Sequence, residues 1–156
     1  MNSTPNPAGQ IYNWFAKAVP EPAQKNKDTQ LGVHFEEIAE MLQILMKTAP
    51  NGGVGSAFEH IAVAHAGILS LAEALKCGGI SFAEDFSGID MLDALADQMV
   101  TAIGVGYMYG YDVVGGLGEV ADSNDSKFEN GEPIFNENMK IMKGYNYFRP
   151  DLAQYV

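Results

Sequence analysis

The chain has 156 residues, 47% of them hydrophobic, and a formal net charge of −11 at pH 7. Its length suits one domain with a buried core, and its charge argues against a general nucleic-acid or anionic-membrane surface, since both are polyanions. The single cysteine, Cys77, excludes an intramolecular disulfide and has no CxxC or HxxxC neighbour to build a zinc site.

The opening, Met1 to Pro7, has neither a basic nor an apolar signal region, so no signal peptide is expected. Residues 1–10 read as a loose lead-in. A short helix follows over Ile11–Ala18, stopped by Val19-Pro20-Glu21-Pro22, and Ala23–Thr29 is a polar segment. From Gln30 to Thr48 the residues Ile38, Met41, Leu42 and Leu45 recur at i, i+3, i+4 and i+7, an apolar helical stripe broken by Pro50 to Gly53. A second long helix spans Ser56–Lys76, with Ser56 as N-cap, Glu59 completing a capping box, and Cys77-Gly78-Gly79 as its close. Cys77 there reads as an apolar helix-end residue.

Ser87 and Asp90 open a third long helix that runs to Tyr109 and ends at Gly110. Its longest uncharged stretch, Gln98 to Tyr111, is shorter than the roughly 20 residues a bilayer span needs, so a soluble, cytoplasmic protein is expected. Residues 115–156 are punctuated by Gly115-Gly116, Asn130-Gly131, Pro133, Gly144 and Pro150. They read as an extended tail packed on the helices, with a short hairpin at Asn130-Gly131. The expectation is a single all-α domain over 1–156, a helical bundle with an irregular C-terminal arm.

Glu36, Glu37 and Glu40 share an arc of about 100° on the helix of Gln30–Thr48. A solvated polar face accounts for that position, but such a face normally interleaves Lys or Arg at i±3 or i±4. Here no Lys or Arg lies between Lys27 and Lys47; the one local partner is His34, three residues before Glu37. Asp93 and Asp97, spaced i and i+4, lie on an otherwise mostly apolar helix, within a window from Cys77 to Ser126 that has no basic residue. Buried carboxylates need compensation; the alternatives are a wet edge or a lysine from elsewhere in the chain. Two acidic helices suggest a site for Mg²⁺, with Mn²⁺ as substitute, because both favour oxygen ligands. A di-iron bundle wants Glu-x-x-His, whereas the order here is His34-x-x-Glu37, and His60 and His65 have no Glu three positions before them. The glycines of Gly104-Val-Gly106-Tyr-Met-Tyr-Gly110 match no nucleotide-binding loop and suit close helix packing. Four of the nine basic residues, Lys127, Lys140, Lys143 and Arg149, cluster in the tail, beside phosphate-compatible donors such as Ser123, Asn124 and Ser126.

Glu36-Glu37-x-x-Glu40 followed by Asp93-x-x-x-Asp97 resembles the EExxE…(E/D)xx(x)D signature of the all-α nucleoside triphosphate pyrophosphohydrolases. That superfamily includes MazG, dimeric dUTPases and phosphoribosyl-ATP pyrophosphohydrolase. The segments Glu119–Phe128, Asn130–Ile134 and Lys140–Leu152 are similar to the tail of the phosphoribosyl-ATP pyrophosphohydrolase-like branch, so the likeness covers 30–152. It departs from the family where Ala94 stands in place of an acidic residue, where Tyr145 and Arg149 stand in place of proline, and at Gly52–Gly55, an insertion. The resemblance implies hydrolysis of a (deoxy)nucleoside triphosphate to the monophosphate and pyrophosphate. It implies metal held by Glu36, Glu37, Glu40 and Asp97 with Asp93 assisting, and charge on the leaving group balanced by Lys127 and Lys143. Asn13 and Trp14 would supply an amide and an aromatic face for the base, unless Trp14 serves as a core anchor. Some viral members act on dGTP, which implies a purine deoxynucleotide and, for a viral chain, the host cytoplasm. A homodimer or homotetramer is implied as well. The non-enzyme alternative is a metal-dependent nucleotide-binding or helical interaction module.

Overall fold

The computed structural model describes residues 6–50, 52–82 and 86–156. The first half of the expected lead-in, 1–5, and Asn51 of the expected breaker lie outside these residues. The described residues form an all-α fold of five α-helices and one short 3-10 turn, with isolated β-bridges in place of strands. The chain divides into two compact units, the first made of 1–20, 83–135 and 141–156 and the second of 21–82 and 136–140.

In the first unit, α1 (Pro7–Ala18) starts at Pro7 rather than Ile11. Asn6 Oδ1 accepts the Gly9 N–H at 3.0 Å, and Pro7 occupies the first turn, where a missing N–H costs nothing. α4 (Gly88–Tyr109) opens as expected, with Ser87 Oγ accepting the Asp90 N–H at 3.3 Å, and stops at Gly110 in the left-handed region. The expected extended tail is corrected over its first part, where α5 runs from Val113 to Asp125. Three glycines within it hide the helix from propensity. Its stability comes from the Asp112 cap on Gly115 N–H (2.9 Å), from packing along α1, and from Ser123 Oγ donating to the Phe148 carbonyl at 2.7 Å. By contrast α4 meets α5 only sparsely, at the end where Gly106 faces Val113. The expected hairpin is present. Glu129 and Glu132 bridge through paired 2.9 Å hydrogen bonds, and Asn130 (φ 51°) and Gly131 (φ 82°) take the positive φ values of a primed hairpin turn.

In the second unit, α2 (Gln24–Thr48) packs along α3 (Ala57–Lys76). α2 begins within the polar segment, whose last two residues, Asp28 and Thr29, are buried and hydrogen-bonded. The buried face of α2 is therefore Asp28, Thr29, Gly32 and Ala39, while Met41 and Leu45 of the apolar stripe are exposed. At Gly32 the helices touch: a Cβ there would sit 2.8 Å from the Ala72 carbonyl oxygen. Ser56 caps α3 by accepting the Glu59 N–H at 3.2 Å, but Glu59 reaches back to the Gly55 N–H rather than to that of Ser56. Cys77 ends the helix with its side chain exposed, not buried. By length and composition alone α3 is apolar enough to cross a bilayer, a property it shares with helices that pack inside proteins.

Candidate functional site

Glu36 lies on the half-buried margin of the α2–α3 contact. Its counter-charge is not missing: Oε1 accepts from Lys76 Nζ and Oε2 from Lys140 Nζ, each at 3.0 Å. Burial pushes the Glu36 carboxyl up, and the hydrogen bonds from Lys76 and then Lys140 outweigh it, holding the group below the usual carboxylate range. Lys76 also bonds Glu73 at 2.6 Å; against the opposing effect of burial, its two acidic partners raise its pKa. Glu37 and Glu40, one and four residues on, are exposed on the same arc.

Asp93 and Asp97 belong to the first unit and are exposed, as are all residues from Leu92 to Ile103. The expectation that they sit on a largely buried helix is corrected for the single chain, and with it the desolvation argument for a cation at that point. Among the described residues no group of three or more His, Cys, Asp or Glu side chains lies close enough to hold a metal ion. Glu36, Glu37 and Glu40 offer carboxylate oxygen, the donor type that a hard cation prefers. At Glu36, however, both oxygens are already taken by ammonium groups.

Of the residues expected at the substrate, Asn124 and Lys127 meet Trp14. Its indole N–H donates to the Asn124 carbonyl at 2.8 Å, Lys127 Nζ lies 5.6 Å from its ring centroid, and Phe128 stacks on it at 5.5 Å. Trp14 is 7% exposed and stacks on Phe128, as a core anchor does, and it also lines an adjoining cavity. Asn13 lines the same cavity, of about 770 Å³, together with Gln10, Lys17, Asp125 and Phe128. Lys17 Nζ covers Phe128 at 5.4 Å. Gln10 Nε2 spans Asp122 Oδ1 (2.8 Å) and Asp125 Oδ2 (2.9 Å), which fixes the carboxylate rim. Lys143 lies over the Tyr147 ring at 4.6 Å, and its neighbour Gly144 donates its N–H to the Lys127 carbonyl at 3.1 Å.

This cavity combines an aromatic wall, carboxamides, a carboxylate and an ammonium, and its size is that of small-molecule pockets. The chain matches no protein-family model, no curated protein and no solved structure. Sequence reasoning overlooked Gln10, Lys17, Asp125 and Phe128. Gln10, Asn13, Trp14 and Lys17 follow the i, i+3, i+4, i+7 spacing of one helix face, a signal that was available. Lys76 was overlooked because nothing local joins it to Glu36, 40 residues away.

Proposed function

We propose that this protein is a metal-dependent nucleoside triphosphate pyrophosphohydrolase, favouring a purine dNTP such as dGTP, and that it works as a homodimer or homotetramer. The observation that carries the reading is the carboxylate arc Glu36, Glu37 and Glu40 on α2, with the later pair Asp93 and Asp97 on α4. The cavity beside Asn13 supports it as a site for the base. Glu36, Glu37, Glu40 and Asp97 would hold Mg²⁺ or Mn²⁺, with Asp93 assisting. When bound, such a cation neutralises the triphosphate and lowers the pKa of a water. A carboxylate of the Glu36/Glu37 pair orients that water and accepts its proton. Its oxygen attacks the α-phosphorus, the bond to the bridging oxygen of the β-phosphate breaks, and monophosphate and pyrophosphate result. Lys127 and Lys143 balance charge on the departing pyrophosphate.

A second reading, a metal-dependent nucleotide-binding or helical interaction module, is favoured by one observation: Glu36 is already satisfied by lysines. A panel of NTPs and dNTPs with Mg²⁺ or Mn²⁺, read by product chromatography, separates the two. The enzyme releases pyrophosphate, and Glu40→Gln or Asp97→Asn abolishes turnover while helical circular dichroism is kept. Orthophosphate with a diphosphate product rejects attack at the α-phosphorus. Saturable binding without product selects the module.

A further inference from the structure

The cavity of about 770 Å³ lies within the first unit, and its polar groups are not equivalent. Gln10 commits its whole amide nitrogen, one N–H to Asp122 Oδ1 at 2.8 Å and the other to Asp125 Oδ2 at 2.9 Å. That fixes which way the carboxamide is turned and leaves Gln10 only its carbonyl oxygen, an acceptor, to offer. Asp125 keeps Oδ1, which accepts from no described residue, and a carboxylate has lone pairs enough for Oδ2 to accept once more. Lys17 has the opposite character. Its ammonium stands 5.4 Å from the Phe128 ring centroid and forms no ion pair among the described residues. The lining therefore presents two acceptors and one cationic donor beside the apolar wall of Phe128 and Trp14.

Such a set discriminates among nucleobases. Guanine carries adjacent donors, N1–H and N2–H₂, beside its O6 acceptor, whereas adenine has a lone pair at N1 and a donor in place of O6. A carboxylate against adenine N1 sets negative charge against a lone pair, and an ammonium against its amino group sets donor against donor. Cytosine meets the same conflict at N3, and thymine or uracil has a carbonyl on each side of its one ring N–H. We propose that the cavity selects guanine, a step that rests on the nucleotide reading of this same cavity. Asp125 is the specificity-determining residue, accepting from N1–H and N2–H₂; Gln10 positions it, and Lys17 donates to O6. A site built of polar groups that pair with one base leaves them unpaired against another, and that is a strong source of rejection.

The test is the binding of dGMP, dAMP and 2′-deoxyxanthosine monophosphate to the full chain by titration calorimetry in EDTA, where no turnover enters. Wild type should bind dGMP about tenfold or more tighter than dAMP. Asp125→Asn can keep the Gln10 bond through its own carbonyl oxygen and turn its N–H₂ toward the base. It should bind dGMP about tenfold more weakly and gain affinity for the xanthine nucleotide, whose 2-oxo group accepts where guanine donates. Lys17→Met should weaken both 6-oxopurines alike. Glu21→Gln, which removes an exposed carboxylate of the second unit, should change neither and controls for bulk charge. Loss of dGMP without a gain for xanthine would make Asp125 a mere support of Gln10 and overturn the assignment. Equal affinity of wild type for dGMP and dAMP, or no binding of any of the three, overturns it as well. Pyrophosphate release is read separately. Turnover of dATP as fast as dGTP removes guanine selection and leaves the hydrolase, whereas selective dGMP binding with no turnover of any triphosphate keeps the site and removes the hydrolase.

Discussion

Asp28 shows what one buried charge does when its partners are built in. It is 6% exposed on α2 and accepts from Ser81 Oγ at 2.7 Å and Gln24 Nε2 at 2.9 Å, with the Phe82 N–H further out at 3.4 Å. These bonds tie the segment after α3 back onto α2. The Ser81 hydroxyl is the main cause holding its carboxyl below the usual range, against the opposing effect of burial. A carboxylate with a depressed pKa in the fold contributes stability that is complete above its unfolded value and is lost as pH falls through the folded one. The urea midpoint is therefore expected to hold steady above about pH 4.5 and to drop at lower pH. In Asp28→Asn, which cannot titrate, stability is lower at neutral pH and the acid limb is shallower. An acid limb as steep as that of wild type would show that Asp28 does not titrate with unfolding.

Helix pairing here is decided by small residues, and two glycines make opposite predictions. Alanine is favoured over glycine in a helix interior by about 1 kcal/mol. At Gly32 that gain meets a rigid obstacle, because the new Cβ would lie 2.8 Å from the Ala72 carbonyl oxygen and 3.2 Å from Leu75 Cβ. Forcing α2 and α3 apart should cost about 1–3 kcal/mol, so Gly32→Ala lowers the melting temperature. At Gly116 on α5 the nearest atoms are Leu152 Cδ2 at 3.6 Å and Tyr155 Cβ at 3.9 Å, an ordinary contact. Gly116→Ala should therefore raise the melting temperature. Thermal circular dichroism reads both signs, and a stabilised Gly32→Ala would refute the tight contact.

The same pair explains what the sequence discloses and what it conceals. Helices α2, α3 and α4, their caps and the Asn130-Gly131 turn follow from local chemistry, which is why they were expected. α5 was not, because Gly115, Gly116 and Gly118 erase its propensity and its packing on α1 and the tail holds it. At the candidate site the Glu36–Glu37–Glu40 arc was legible from spacing on one helix. The lysines that neutralise Glu36 were not, since they come from 40 and 104 residues away and no periodicity links them to it.

Exposed apolar surface bears on what lies beyond the single chain. On α4, Ile89 (81% exposed), Leu92, Met99, Val100 (66%), Ile103 and Tyr107 fall within one arc of about 100°. A stripe of that continuity is a candidate contact surface. Asp93 and Asp97 lie along one margin of this stripe. Covering it with a second copy would draw the two aspartates from water and restore the need for positive charge that the isolated helix lacks. On α2, Met41, Ile44 and Leu45 form a second exposed apolar patch. Light scattering behind size exclusion should therefore give a mass at least twice the 16.8 kDa of one chain. Leu92→Lys with Val100→Lys should lower that mass while the helical signal is retained. Wild type running as a 16.8 kDa monomer at concentrations of about 100 μM would mean that the stripe is not a self-contact.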